Sequence, residues 1–411
     1  MQLISADWVL PVSRPPLRDG AVLVDGGFVL DVGARSDLAA RYPAASPEPF
    51  DDCVIMPGLV NAHTHLTLTD LAGKVPSMPF VEWLPALVSA MKPWTVADHE
   101  ASGAHGAREC LLAGVTAVGD IAYGAAEVVA AASMGLAGVY YWELLGMRAE
   151  RVPEELEALR YPSRRDVYSP RVTCGLSPHS PYTSGPELLQ AVHAIAAEKR
   201  VPLAIHVAES AAEIELLCGG TGPLAAVAGR TAFGFTAPGT STVRYLHDLG
   251  VLSGATAVHC CHISDEDIGL LAAEARGVVT CPRSNRYLGN PVPDVTALLA
   301  AGIPVGIGTD SAASNWDLDL MAEIRTLRDI HPAIPPRTLI EIATSQGATA
   351  IGIADRFGML EPGKQADLAV FALGEVDEPE EAVVDRAGAA TLRALAVGGS
   401  WRVLDGAWQA S

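Results

Sequence analysis

Positive charge is scarce in this chain: 28 lysines and arginines face 48 aspartates and glutamates, for a formal net charge of −20. Proteins that bind a phosphate backbone need a basic footprint to displace counterions. A nucleic-acid partner is therefore excluded, and a small molecule is the expected one. The acidity itself reads as solubility. Cysteine is sparse as well, seven residues with no C-x-x-C pair. An odd count without paired spacing gives no disulfide framework, and a reducing cytoplasm is the expected location.

Hydrophobic residues make up 49% of the chain, yet no uncharged stretch reaches membrane-spanning length. The nearest, Val128 to Trp142, is broken by Ser133 and two glycines and reads as buried helix and strand, so no membrane partner is expected. Met1-Gln2-Leu3-Ile4-Ser5-Ala6-Asp7 has no basic leader and carries an early acid, which argues against a secretory signal. No G-x-G-x-x-G follows the first strand of the central region, which argues against a dinucleotide fold.

With 411 residues the chain is long enough for a sizeable core, either two to three domains or one large barrel with additions. Its two ends share one texture. Asp25-Gly26-Gly27 separates the apolar runs Ala21–Val24 and Phe28–Val32, and Asp405-Gly406 separates Trp401–Leu404 from Ala407-Trp408. These are hairpin signals, and residues 1–57 with 361–411 are expected to form one composite β-sandwich domain. Residues 58–360 alternate short apolar runs with Ala/Leu-rich amphipathic stretches such as Pro186–Lys199 and Asp265–Arg276, the βα pattern of a parallel sheet. Eight runs read as strands: Ile55–Asn61, Val115–Ile121, Ala137–Glu143, Arg171–Leu176, Pro202–His206, Ala255–His259, Gly277–Cys281 and Pro304–Gly308. Eight strands in this length favour a closed (β/α)₈ TIM barrel over an open sheet.

The ends of those strands carry the chemistry. His63 and His65, two residues apart on an extended backbone, project the same way and can grip one ion. Ser177-Pro178-His179, His206-Val207-Ala208-Glu209, His259-Cys260-Cys261-His262, Arg283-Ser284-Asn285 and Thr309-Asp310-Ser311 close other strands. Any one of these histidines alone would be read as a packed or solvated residue; together they converge on the rim where barrel enzymes place catalytic groups. His63, His65, His206 and Asp310 make an N/O set suited to one divalent ion, Zn²⁺ first and Fe²⁺ as the alternative. A lysine at the end of strand four would allow a two-metal site, but Ser-Pro-His stands there. Cys260, Cys261 and Cys281 fit core packing better than soft ligation.

Glu209 reaches the same cavity and reads as a proton donor with a raised pKa, against the alternative of capping the helix that follows. His259 is assigned to orient the attacking water or the developing tetrahedral oxygen, and His262 reads as a capping or surface histidine.

Together the segments Pro57–His65, Ser177–Tyr182, Ile205–Ser210, Val258–His262, Gly308–Asn315 and Gly363–Leu368 resemble the amidohydrolase superfamily in its cytosine deaminase and chlorohydrolase-like branch. The resemblance spans essentially the whole chain. It implies a (β/α)₈ barrel beside a small β-sandwich, one metal on the counterparts of His63, His65, His206 and Asp310, and hydrolytic deamination of an aromatic ring. On that likeness Asp310 takes a proton from metal-bound water, hydroxide attacks the amino-bearing carbon, and Glu209 protonates the adjacent ring nitrogen.

Within the branch, Phe80–Leu84, His206–Glu213 and Gly308–Ser311 look most similar to aminodeoxyfutalosine deaminases of menaquinone biosynthesis, with S-adenosylhomocysteine and adenosine deaminases as near neighbours. The latter carry an acid for the ribose where Lys92 aligns, which weakens that assignment. Chlorohydrolase-like and guanine or cytosine deaminase activities use the same scaffold. The substrate is thus expected to be a nucleoside, with a homodimer left open. Expected substrate contacts are His179, Trp83 beside Phe80, Ser311, and for a carboxylate on the substrate tail Arg148, Arg283 or Arg286.

Overall fold

The computed structural model describes residues 1–146, 169–225 and 236–409. In chain order its strands are β1 (Gln2–Val9), β2 (Leu17–Asp25), β3 (Phe28–Ala34), β4 (Ser46–Pro57), β5 (Leu59–Thr64), β6 (Val115–Ala122), β7 (Ala137–Leu144), β8 (Val172–Pro178), β9 (Leu203–Val207), β10 (Ala255–His259), β11 (Gly277–Thr280), β12 (Val305–Ile307), β13 (Leu368–Ala372), β14 (Leu392–Val397), β15 (Ser400–Leu404) and β16 (Ala407–Trp408). Strands β5 to β12 follow one another in a parallel sheet, most steps crossed by helices. The sheet curls until its edges meet: Thr64 bridges Asp310 in parallel, and the Asp310 amide donates to the His63 carbonyl at 3.0 Å. The result is the (β/α)₈ barrel.

The other eight strands form a second sheet in the order β16-β15-β14-β13-β4-β1-β2-β3, joining both ends of the chain. One face encloses its own core, with Val22, Val24 and Val29 from the start of the chain against Leu368, Val370 and Ala396 from its end. Met56, Ala369, Phe371 and Leu395 alternate onto the opposite face and merge with the barrel's outer core.

Most expected strands shift by one or two residues at their ends, and one divides. The run Ile55–Asn61 is two strands, because the backbone changes sheets at Gly58: the Gly58 amide bonds to the Asp367 carbonyl at 3.0 Å, whereas Leu59 bonds to Gly114 in the barrel at 3.0 Å. A side chain on Gly58 would overlap Thr116, so the switch point needs glycine. Gly138, inside β7 at φ +138, is tighter still, since a Cβ there would overlap the Val118 backbone carbonyl. Gly138→Ala is expected to cost about 3 kcal/mol or more from backbone strain and overpacking, read as a lowered urea midpoint. An unchanged midpoint would show that the β6–β7 seam can open.

The lumen is packed by Val60, Ala62, Val139, Tyr141 and Val279, with Ala348, Ile351 and Phe357 in the same cluster. Such a barrel is a solid core, so polar chemistry is displaced to the opposite, C-terminal rim. Among the described residues no helix is long and apolar enough to cross a membrane.

Candidate active site

At that rim several left-handed residues re-aim the chain. Ala208, His259, Cys260 and Asp310 all have φ between +50 and +71 without being glycine. Such strain persists only where the surroundings enforce it, and it clusters at functional sites. The β5–β6 ladder also shifts register between Asn61 and Thr64, a bulge at the His63–His65 turn.

The rings of His63 and His65 lie 5.0 Å apart, and those of His63 and His206 4.9 Å. Asp310 Oδ1 stands 3.6 Å from His63 Nε2 and 3.4 Å from His65 Nε2. Its Oδ2 accepts from the hydroxyls of Ser284 at 2.6 Å and Ser314 at 3.0 Å, which fixes the carboxylate and leaves Oδ1 for the histidines. His206 Nδ1 lies 2.9 Å from the His179 carbonyl and must be its donor, which leaves Nε2 as the free lone pair. His259 Nδ1 sits 3.1 Å from Asn285 Oδ1, and its Nε2 faces Glu209 Oε1 at 3.9 Å.

Burial lowers His65 to about 3 and His259 to about 4, and drives His206 well below its ordinary value. These rings are neutral near pH 7, with lone pairs to offer. Burial would raise Asp310, but the His63, His65 and His259 rings gathered around it hold it well below the usual carboxylate range. Glu209 goes the opposite way: burial first, then Asp310 and Glu213, push it well above. Two carboxyl groups shifted in opposite directions share one rim, the arrangement of an acid and a base.

The donor set fits one divalent ion. The ligand atoms of His63, His65 and His206 lie within 4.8 Å of one another, as do those of His63, His259 and Asp310. His63 Nε2 is fully buried without a hydrogen-bond partner among the described residues. An orphaned imidazole nitrogen beside a carboxylate is what a bound cation would satisfy.

These groups form the floor of a cavity of about 270 Å³. Helix Phe80–Met91 supplies its apolar wall through Phe80, Trp83, Leu84, Leu87, Val88 and Met91. His179 and Ser311 line it as expected, and the Trp83 indole donates to the Ala313 carbonyl at 3.3 Å. Arg283 does not line it. Its guanidinium forks onto Asp317 at 2.6 and 3.1 Å and lies over the Trp316 ring, so its charge is already matched. Arg286 is exposed outside the cavity, and Arg148 lies outside the described residues. Helix capping falls to Ser210, not Glu209: its side chain accepts from the Glu213 amide.

Two groups escaped the sequence reading. Glu143, at the end of β7, lines the cavity with its side chain only 6% exposed. An acid closing the aromatic run Tyr140-Tyr141-Trp142 was the available signal. Glu213 accepts from the amides of Ala208 and Glu209, both at 2.9 Å, and from the Thr242 hydroxyl at 2.9 Å. It thereby clamps the strained turn that carries Glu209. Glu213→Ala would strand three buried donors, so about 3 kcal/mol of stability and part of the turnover are expected to be lost. A variant with the parent's denaturant midpoint and rate would remove Glu213 from this role.

A (β/α)₈ barrel whose C-terminal rim gathers three histidines and an aspartate beside a buried glutamate defines a hydrolase scaffold suited to a metal. The chain belongs to the amidohydrolase family, whose sequence profile matches residues 54–402. It is 35% identical over 352 residues to the aminodeoxyfutalosine deaminase of Deinococcus radiodurans, covering 81% of each chain. It is 32% identical over 386 residues to a 5-methylthioadenosine/S-adenosylhomocysteine deaminase of Pelotomaculum thermopropionicum, covering 89% of this chain and 83% of that one. The crystal structure of a Xanthomonas campestris adenosine deaminase with bound zinc superposes with a TM-score of 0.83 at 26% identity, covering all of this chain and 94% of that one. The enzyme is a hydrolytic deaminase.

Proposed function

We propose that this enzyme deaminates a 5'-modified adenine nucleoside, specifically 6-aminodeoxyfutalosine in menaquinone biosynthesis, in the cytoplasm. His63, His65, His206 and Asp310 hold one divalent ion, Zn²⁺ or Fe²⁺. The relatives' names support the adenine nucleoside. What selects the tail is the apolar wall of helix Phe80–Met91, long enough to carry a bulky aromatic 5' substituent. That helix ends at the exposed Lys92, one residue beyond the cavity wall.

When bound, the ion supplies the Lewis acidity that makes water nucleophilic at neutral pH. Asp310, kept ionised, accepts a proton through Oδ1. Glu209, kept protonated, delivers its proton to purine N1 as C6 becomes tetrahedral, and His259 Nε2 faces the new oxygen. Asp310 then gives the proton it took from water to the amino group, the proton of the new C6 hydroxyl returns to Glu209, and the C6–N bond breaks to release ammonia and leave the 6-oxopurine. Retention of Glu209 favours deamination over displacement of chloride, a leaving group that needs no proton.

Ammonia release from 6-aminodeoxyfutalosine, 5'-methylthioadenosine, S-adenosylhomocysteine, adenosine, guanine, cytosine and a triazine tests this. The futalosine is expected to lead in kcat/KM by about tenfold or more, or about 1.4 kcal/mol of transition-state binding. A higher value for methylthioadenosine or S-adenosylhomocysteine would replace the assignment with theirs.

A further inference from the structure

We propose that Glu143 is a specificity residue that accepts hydrogen bonds from the vicinal hydroxyls of the nucleoside's ribose. The inference rests on the adenine-nucleoside reading above. Glu143 Oε1 is fully buried, lines the cavity and has no hydrogen-bond partner among the described residues. An acceptor left empty in a buried place is costly, and it is retained where a ligand completes it. Burial pushes the Glu143 carboxyl up to about 7, and the Tyr123 hydroxyl against it partly offsets that rise. His179 Nε2 is 3.9 Å from Oε1, and its ring is oriented by Thr183 Oγ1 at 2.7 Å from Nδ1 and Ser180 Oγ at 3.0 Å. Glu143 and His179 thus form an acid–imidazole pair that the deamination chemistry leaves idle.

Placement decides what the pair meets. The His179 ring is 4.7 Å from that of His206, so the pair begins one ring out from the proposed metal ligands, on β7 and β8. A purine with N1 on Glu209 and C6 over the ligands directs its opposite edge, and the sugar at N9, outward along the cavity. The facing wall, Phe80, Trp83 and Leu87, offers the sugar nothing but apolar surface and the Trp83 indole, already bonded to Ala313. A vicinal diol carries two O–H donors that one carboxylate can take together.

The test is a double-mutant cycle on the metal-loaded enzyme. The kcat/KM of adenosine, 2'-deoxyadenosine, 3'-deoxyadenosine and 2',3'-dideoxyadenosine is measured for the parent, Glu143→Ala and Glu143→Gln, with metal content and thermal midpoint checked for each. The parent is expected to lose about 10- to 100-fold with the dideoxy nucleoside, the range of a hydrogen bond to a charged group. Glu143→Ala should nearly erase that discrimination while keeping its metal, and Glu143→Gln, a neutral acceptor of the same shape, should retain part of it. If Glu143→Ala discriminates as strongly as the parent, or if the parent does not discriminate, the inference is wrong. Should Glu143→Ala fail to fold, full discrimination in Glu143→Gln with unchanged adenosine kinetics would overturn it equally. An enzyme that deaminates no adenine nucleoside, neither adenosine nor the 5'-modified ones, instead overturns the reading beneath it, and the parent's rates on those nucleosides tell the two failures apart.

Discussion

Glu209→Gln is expected to bind metal as the parent does and to lose about 10²- to 10⁴-fold in kcat. Glutamine keeps the size and the amide-side hydrogen bonding, but it has no proton to give to a ring nitrogen. Glu209 is not among the groups placed to ligate the ion, and its backbone is held by Glu213, so neither metal stoichiometry nor fold should follow the side-chain change. The pH profile of the parent supplies an independent check. Burial raises Glu209 well above its ordinary value. The protonated form is therefore present at neutral pH, and turnover should fall as pH rises through that raised pKa, giving an alkaline limb. Measurement of bound metal by atomic emission, and of ammonia release across pH, decides it. A Glu209→Gln enzyme within about threefold of the parent rate would take Glu209 out of proton transfer.

The barrel and the floor of its site were legible because they depend on local pattern. A β-rich run ending in His-x-His, followed at βα spacing by further strands ending in histidine or aspartate, places those groups on one rim whatever the loops do. His63, His65, His206, Glu209, His259 and Asp310 came together for that reason. What failed depended on contacts distant in sequence. Arg283 looked like a free cation, but its partner Asp317 lies 34 residues on, on a loop whose path the sequence does not reveal. Glu213 had no assigned part, because what it clamps, the amides of the left-handed Ala208 turn and the Thr242 hydroxyl from another helix, is brought to it only by the fold. Gly58 read as a small residue within one strand, because a change of sheet leaves no mark in hydrophobic alternation. Glu143 sits in a strand of bulky aromatics, where a lone acid is ordinarily taken for a strand-end surface group. Its orphaned oxygen becomes visible only once the cavity around it is defined.

His206→Ala should abolish metal binding, leaving less than about 0.3 ion per chain after purification and no return of activity on adding Zn²⁺. The His206 ring is central to the cluster, with ring centroids of His63, His65, His179 and His259 all within 5.6 Å of its own. Its Nδ1–H is spent on the His179 carbonyl, so Nε2 faces the other donors in a fixed orientation, and alanine removes both the ligand and the bond that aims it. Truncation also leaves a cavity, although the His179 carbonyl keeps the residue-206 amide at 2.9 Å, so the metal-free variant should be less stable by about 2 kcal/mol. That structural loss must be separated from loss of the ion. A ligand that binds only the folded state stabilises it by about 4 kcal/mol at a thousand times its Kd. Saturating Zn²⁺ should therefore raise the thermal midpoint of the metal-free parent by several degrees and leave that of metal-free His206→Ala where it was. An equal rise in both proteins would place the ion on other residues, and with it the base and the nucleophile assigned to this rim.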